Sequence, residues 1–465
     1  MSKPTAGWRW GPFTMRVPFL HTRLLWPEFL QGVFVATATG LALVPVLEAY
    51  FGMNFEQAGT CSLLYSLFIV SSLHTFGEPY APGWNTPALP LVLAYVIVGY
   101  PDPMQRFQVM TALSLMFAGL VFVLGISGFG TWLMRWLPST LRAGIILGAA
   151  IAAFKKVFVD DAEKYLLQQP ISTTLACLVC LVCVFSAPFQ KLKAKHNSLM
   201  LLAALGLLPG FIVAAIVGPL VGEVHYDIQW GWLIPPVGET VAKMSPFSIG
   251  WPTATMFLQA IPLVLITYVI QFGDIVTGTE VLREARPSRL DDPVDINIRR
   301  SHLALGFRNA ISALVAPFFT TQGMLWTGVH VVIVQRWKQG PAAMRDLNSG
   351  LISYYLMGLP FIYFMLPLLT GLKPLLGIAL TLTLVLTGFA CAYIAMAIPR
   401  TNASRGTALL IGMALALFEP WIGLAIGIAA SLLLVGFERD ESAAEALRGE
   451  AQAAELEESI RGAGK

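Results

Sequence analysis

Long runs of hydrophobic residues dominate the chain, and polar residues gather in the short stretches between them. Runs of about 20 apolar residues recur from Glu28 to Phe437, and a helix of that length can cross a bilayer. The short alternating segments that characterise a membrane β-barrel are not the pattern seen here. The pattern therefore predicts an all-α polytopic membrane protein.

The hydrophobic runs divide into fourteen predicted spans. The third, the tenth and the last two are shorter than a full crossing, and Pro420 favours a turn between the last two. The predicted spans are 29–51, 56–76, 86–100, 108–128, 134–154, 170–188, 198–219, 256–281, 302–318, 323–336, 349–369, 373–397, 404–418 and 420–438.

The distribution of charge favours this count. Only 12% of the 465 residues are charged, and the net charge of +3 does not point to a nucleic-acid partner. With an inside N-terminus, the predicted inner segments hold many of the basic residues, including Arg9, Arg23, Arg142, Arg283, Arg299, Arg300, Arg336 and Arg400. The positive-inside rule then predicts that both termini are cytoplasmic, and we expect a bacterial inner membrane.

Fourteen spans form two halves of seven. An odd number of spans in each half gives the halves opposite orientations, as in inverted-repeat transporters. The short third and tenth spans occupy equivalent positions in the two halves, and short or broken segments mark the substrate site in that architecture. The N-terminal ends of the two half-helices would point towards the membrane midplane.

Two stretches would build this site. The first, "GEPYAPGWNTPALPLVLAYV", carries Asn85 and Thr86 as candidate N-cap residues and substrate ligands. The second, "APFFTTQGMLWTGVHVVIVQRW", supplies Thr321, Gln322 and Trp326. Trp326 could stack on a planar ligand, although packing is the commoner role of a Trp in a helix bundle. Two re-entrant loops packed against protein, without a ligand, are the alternative.

An acid and an amide interrupt the eighth span. Gln271 and Asp274 are three residues apart and share one helix face. A carboxylate near mid-membrane costs about 2.5–3.5 kcal/mol on insertion scales, so a function or a partner should compensate for it. We expect Asp274 to be the proton-coupling residue and Gln271 to bind substrate. The alternative is a structural acid that is hydrogen-bonded to a neighbouring helix.

Other chemistry finds little support. The sequence has no His/Glu metal cluster, no GxSxG motif and no Gly-rich phosphate loop, so we expect no enzyme activity, no cofactor and no metal. Cys177, Cys180 and Cys183 have CxxC-like spacing without a nearby His, which favours a packing role. The Ala/Glu-rich stretch 439–465 is expected to be a solvated cytoplasmic helix.

Four stretches carry a resemblance to a known family. "LQGVFVATATGLALVPVLEAYFG", "MRWLPSTLRAGIILGAAI", "IQFGDIVTGTEVLREA" and "DINIRRSHLALGFRNAISALVAPFFTTQG" resemble, in order and spacing, the first, fifth, eighth and ninth helices of the nucleobase–cation symporter-2 (uracil/xanthine permease) family. The resemblance covers residues 28–438. Bicarbonate and SulP-type transporters share the fold of this family, so the fold alone does not fix the substrate.

The resemblance implies an organisation in two domains. A core of spans one to four and eight to eleven would move against a gate of spans five to seven and twelve to fourteen, and the protein could form a homodimer. On this basis the chain divides into an N-terminal segment 1–27, core 28–128, gate 129–250, core 251–370, gate 371–438 and the tail 439–465.

The resemblance also implies a function. Asp274 matches the titratable position of the family, but Ile270 stands where members carry a ring-binding Glu, and "QGMLWTG" keeps Gln322 without the family's Asn. We expect proton- or sodium-coupled symport of a nucleobase-like planar heterocycle. The alternative is an anion transporter or exchanger for an organic carboxylate, sulfate or bicarbonate, which the lack of a conspicuous membrane-embedded Arg or Lys disfavours.

Overall fold

A computed structural model describes residues 7–130, 137–193, 195–196, 199, 202, 207–356 and 364–436. Regular structure in these residues is helical apart from one antiparallel hairpin, β1 (Trp8–Trp10) and β2 (Phe13–Met15). The all-α prediction is therefore right for the apolar runs and wrong for this hairpin, because three-residue strands leave almost no pattern in a sequence. The tail 439–465 lies outside the described residues.

Helices follow the predicted apolar runs through the N-terminal half. They are α1 (Trp26–Gly40), α2 (Val44–Tyr50), α3 (Phe55–His74), α4 (Leu89–Gly99), α5 (Pro103–Ser127), α6 (Ser139–Lys155), α7 (Ala162–Tyr165), α8 (Pro170–Phe185), α9 (Ala187–Lys193) and α10 (Leu208–Leu220). A 3₁₀ turn, Thr86–Ala88, leads into α4, and a π-helical turn, Lys156–Asp160, extends α6.

The C-terminal half continues this architecture. Its helices are α11 (Val237–Met244), α12 (Pro246–Ile249), α13 (Ala254–Ala285), α14 (Ile298–Val315), α15 (Thr327–Lys338), α16 (Leu347–Leu356), α17 (Leu366–Leu372), α18 (Leu376–Ala397), α19 (Asn402–Leu417) and α20 (Pro420–Ala430). The predicted turn at Pro420 is confirmed, because α19 ends at Leu417 and α20 begins at Pro420.

Each predicted span overlaps at least one helix, but the count of fourteen crossings stays a prediction. In the described part of the chain, three helices are long and apolar enough to span a membrane, namely Pro103–Ser127, Ala254–Ser288 and Leu366–Ala397. The first predicted span is divided between α1 and α2, since Pro45 lies in the first turn of α2 and cannot continue α1.

Helix packing concentrates in two groups. In one group α14 lies along α5 and also contacts α3, while α13 packs against α5 and α15. In the other group α6 packs against α18 and α19, and α8 packs against α10 and α18. The interior of both groups is made of buried aliphatic and aromatic side chains, whose removal from solvent stabilises the fold.

The hairpin fastens the N-terminal segment to the first group. Trp10 Nε1 donates a hydrogen bond to the Thr75 carbonyl oxygen at 2.8 Å. The Phe13 ring is buried and lies edge-on to Phe76, with ring centroids 4.9 Å apart. The predicted N-terminal segment 1–27 therefore contains a folded element that contacts the chain just before the first short segment.

Candidate substrate site

The two short segments cross in direct contact. The Asn85 amide donates to the Thr320 carbonyl at 2.7 Å, and the Trp326 amide donates to the Ala81 carbonyl at 2.7 Å. The extended stretch before each short helix thus satisfies backbone groups of the other stretch, as irregular backbone inside a membrane requires. A small ligand can therefore reach both segments at once.

Two glycines allow this approach. A Cβ atom on Gly323 would lie 2.7 Å from the Asn85 nitrogen and 2.7 Å from the Gly83 oxygen. A Cβ atom on Gly83 would lie 2.8 Å from the Cβ atom of Trp326. Real Cβ atoms essentially never make such short contacts, so the crossing depends on the absence of side chains at both positions.

Asn85 presents a free amide beside this crossing. It occupies the N-cap position of Thr86–Ala88, but its side chain does not cap the turn. The side chain is buried, and neither Oδ1 nor Nδ2 has a hydrogen-bond partner among the described residues. Thr86 is partly exposed and its hydroxyl donates to the Trp84 carbonyl at 3.4 Å. A buried amide without partners is costly unless a ligand or water pairs with it.

Gln322 presents its oxygen from the second segment. Its Nε2 atom donates to the Tyr65 carbonyl at 3.2 Å and to the Thr321 hydroxyl at 3.3 Å. Its Oε1 atom is buried and has no partner within the described residues. The Thr321 hydroxyl donates to the Phe318 carbonyl at 2.8 Å. Thr321 therefore orients Gln322, and its own hydroxyl proton is already engaged.

Helix α13 packs against both short segments, in contact with Thr86–Ala88 and with α15. Gln271 Nε2 lies 3.5 Å from Asp274 Oδ2, and Gln271 Oε1 is buried without a partner in the described chain. Asp274 is partly exposed, and Thr277 on the next turn is exposed. The acid and the amide thus share one helix face, as the three-residue spacing predicts.

Trp326 and His330 are packed against protein. The Trp326 ring lies edge-on to Tyr354, with centroids 6.4 Å apart. His330 is fully buried; its Nδ1 atom accepts from the Ala81 amide at 3.3 Å, and Nε2 lies 3.3 Å from the Gly278 carbonyl. Because Nδ1 accepts, Nε2 carries the hydrogen and donates to Gly278. His330 therefore joins α15 to the first segment and to α13.

Sequence reasoning missed two residues of α14. Arg308 is fully buried and its Nη2 atom donates to the Gly323 carbonyl at 2.9 Å. The neighbouring Asn309 Nδ2 donates to the Gln322 carbonyl at 3.1 Å. The expectation that no membrane-embedded Arg stands near the site is therefore wrong. The lone Arg in the apolar run 302–318 was the available signal.

The charge of Arg308 interacts electrostatically with Glu78, which lies at the start of the first segment. Glu78 is fully buried and accepts from Arg300 Nε at 2.8 Å and from the Ser301 hydroxyl. A buried guanidinium is tolerated when a carboxylate and hydrogen bonds compensate it. Two of the Arg308 nitrogens, Nε and Nη1, have no hydrogen-bond partner among the described residues.

Over the described residues no group of three or more His, Cys, Asp or Glu side chains is arranged to hold a metal ion. The site thus offers amide, hydroxyl and carboxylate groups, one buried cation and the ends of two short helices. Such groups bind a solute by hydrogen bonds and can exchange a proton.

Comparison with known proteins shows the family of this chain. The sequence matches the Permease family (Xan_ur_permease) over residues 30–323, which is more than half of the chain. The chain belongs to this family. It is an integral membrane transporter and not an enzyme. The matched residues include the whole of the first short segment, the second only as far as Gly323, and the whole of α13. No curated protein sequence matches significantly.

Solved structures show a similar fold. Murine Slc26a9, an anion transporter in the inward-facing state, is similar with a TM-score of 0.53 at 14% identity, over 89% of this chain and 68% of that one. A second SLC26A9 structure gives 0.54 at 15% identity, over 89% of this chain and 65% of that one, just under two thirds of its length. The transmembrane domain of the cyanobacterial bicarbonate transporter BicA gives a TM-score of 0.47 at 12% identity, over 88% of this chain and 99% of that one.

Proposed function

We propose that the protein is a proton-coupled symporter of a neutral, nucleobase-like heterocycle that works by alternating access. Asn85, Thr86, Gln271 and Gln322 contact the solute, Thr321 and Trp326 shape the site, and Asp274 exchanges the coupling proton. The inverted repeats, the cytoplasmic termini, the bacterial inner membrane and a homodimer are parts of the same proposal.

The orientation of two amides carries this proposal. The Nε2 atom of Gln322 donates to a carbonyl oxygen, and the Nε2 atom of Gln271 donates to a carboxylate. These partners accept only, so in each amide the nitrogen faces the partner and the oxygen faces away from it. Both Oε1 atoms are left without protein partners in the described residues. Gln322 Nε2 already donates twice, so the free capacity of Gln322 is that of an acceptor, whereas Gln271 keeps its Oε1 acceptor and one N–H of Nε2. The two free acceptor oxygens suit a solute with N–H donors.

Arg308 favours a second candidate, an anion transporter or exchanger. Its Nε and Nη1 atoms are buried donors without partners in the described residues, and a carboxylate or sulfate could pair with them. The fold shared with an anion transporter is compatible with this function but does not select it. In this alternative the Arg308→Gln variant would lose anion uptake. If the protein is a nucleobase carrier, the same variant would lower the stability of the fold.

The test is uptake by proteoliposomes containing the purified protein, with an acidic exterior. Labelled uracil and xanthine are compared with oxalate, sulfate and bicarbonate. The proposal expects uptake of a nucleobase that a protonophore abolishes, and no anion uptake. Anion uptake that persists without a proton gradient would replace the proposal with the second candidate.

We expect Gln322→Met to weaken nucleobase binding about tenfold, because methionine keeps the length of the side chain but removes the free acceptor, at a cost of about 1–2 kcal/mol. The measurement is the dissociation constant of the purified variant for the nucleobase that the wild type takes up. Gln190→Met is the control, since Gln190 lies in α9 and its Nε2 atom donates to the Val184 carbonyl of α8, away from the crossing. Equal affinities of the two variants would remove Gln322 from the site.

A further inference from the structure

A cluster of charges surrounds Tyr50 at the C-terminal end of α2. The Tyr50 hydroxyl donates to Asp161 Oδ1 at 2.6 Å and accepts from Lys164 Nζ at 2.9 Å. Lys164 Nζ and Lys156 Nζ lie 4.2 Å and 5.2 Å from the centroid of the Tyr50 ring. The Arg106 guanidinium donates to the Tyr50 carbonyl. We name these five residues the Tyr50 cluster.

The Tyr50 cluster joins distant parts of the chain. Tyr50 lies at the end of the first predicted span and Arg106 just before the fourth, and both belong to the predicted core. The other three members lie between predicted spans five and six, in the predicted gate, on a π-helical turn and α7 that pack against α18. In the predicted topology all five lie on the outer side of the membrane.

A second contact of the same kind lies nearby. Lys373 Nζ, in the 3₁₀ turn before α18, is 4.5 Å from the centroid of the Phe55 ring at the start of α3. Lys373 also interacts electrostatically with Glu48 of α2. Predicted gate residues thus reach predicted core residues on this side through two separate cation contacts.

Burial separates this cluster from an ordinary surface ion pair. The side chains of Lys156 and Asp161 are 7% and 11% exposed, with 2.5 Å between Nζ and Oδ2. The adjacent pair Lys155–Asp160 is 36% and 33% exposed and lies within one turn of the same connection. Exposed pairs contribute little, whereas breaking a buried pair leaves an uncompensated charge.

We propose that the Tyr50 cluster is a latch that holds the outer side of the transporter closed and that must open in the outward-facing state. This inference rests on the alternating-access part of the proposed function, and it names the groups that separate. Opening would move Asp161, Lys156 and Lys164 away from Tyr50 and expose them to water, which hydrates the freed charges. The cost of opening is then modest, as a reversible gate requires.

Pulsed electron spin resonance between the two sides of the latch tests the proposal without any substrate. Spin labels are carried by unnatural amino acids at the exposed residues Glu56, at the start of α3, and Glu163, in α7, so the five native cysteines stay in place. Tyr50→Phe keeps the ring and removes both hydroxyl hydrogen bonds. We expect the population with the long label-to-label distance to rise about tenfold relative to the population with the short one. This is the effect of losing a hydrogen bond to a charged group.

Three further variants sharpen this test. Asp161→Asn should shift the distances in the same direction, and the reversed pair Lys156→Asp with Asp161→Lys should leave them shifted, because a lysine at position 161 cannot accept the Tyr50 hydroxyl proton. Asp160→Asn, which breaks only the exposed neighbouring pair, should leave them unchanged. Distances in Tyr50→Phe and Asp161→Asn that equal those of the wild type, in protein with unchanged thermal unfolding, would overturn the latch. Because no uptake is measured, a failed nucleobase assay does not affect this result.

Discussion

Asp274→Asn is expected to abolish accumulation of the solute against its gradient while leaving binding within about threefold of the wild type, since asparagine has the shape of a protonated aspartate but cannot release a proton. The carboxylate lies on a partly exposed face of α13, beside the amide of Gln271. Accumulation is measured in proteoliposomes with an acidic exterior, and exchange is measured with equal pH on both sides. Loss of the first with retention of the second is the signature of a coupling residue.

The same substitution should not destabilise the fold. A charge in a membrane span is costly, and the described structure gives Asp274 no basic partner at hydrogen-bond distance. Removing the Asp274 charge should therefore leave the unfolding temperature of the protein equal or higher. Asp292→Asn is the matched control. Asp292 accepts from Trp337 Nε1 at 2.9 Å and from the Leu347 amide at 2.8 Å, so this variant should lower the unfolding temperature and keep accumulation. A destabilised Asp274→Asn that no longer binds would make Asp274 a structural acid.

Local signals in the sequence were sufficient for the short helices. The predicted span 86–100 corresponds to Thr86–Gly99, and the predicted span 404–418 corresponds to Asn402–Leu417. Proline and N-cap residues mark these starts, and a run of apolar residues marks the length. The face shared by Gln271 and Asp274 was equally predictable, because it depends only on helix geometry.

Tertiary contacts decided the remaining features. Arg308 lies inside an apolar run, and its partner is the carbonyl of Gly323, beyond the end of its own helix. No pattern within one segment reports such a bond. Thr321 was expected to offer its hydroxyl to a ligand, yet that hydroxyl donates to the Phe318 carbonyl. Which of several polar side chains keeps a free group depends on neighbours from other helices, such as Tyr65 for Gln322.

A side chain added where the two short segments cross should have a large effect on stability and binding, because the backbone contacts there leave no room for it. We expect Gly323→Ala to lower the free energy of unfolding by about 2–3 kcal/mol and to abolish solute binding. The new Cβ atom would meet the Asn85 nitrogen and the Gly83 oxygen at 2.7 Å, and both are backbone atoms that cannot rotate away. The segments would have to separate, which breaks the hydrogen bonds that join Asn85 to Thr320 and Trp326 to Ala81.

Gly328→Ala is the control for this prediction, because Gly328 lies five residues further along the same stretch. A Cβ atom there meets nothing within 4 Å, and the residue lies in the first turn of α15. Alanine is favoured over glycine in a helix by about 1 kcal/mol, so this variant should unfold at the wild-type temperature or above it. Thermal unfolding in detergent and solute binding are measured for both variants. Wild-type behaviour of Gly323→Ala would mean that the two segments do not cross at this distance, and Gln322 and Asn85 would then belong to separate surfaces.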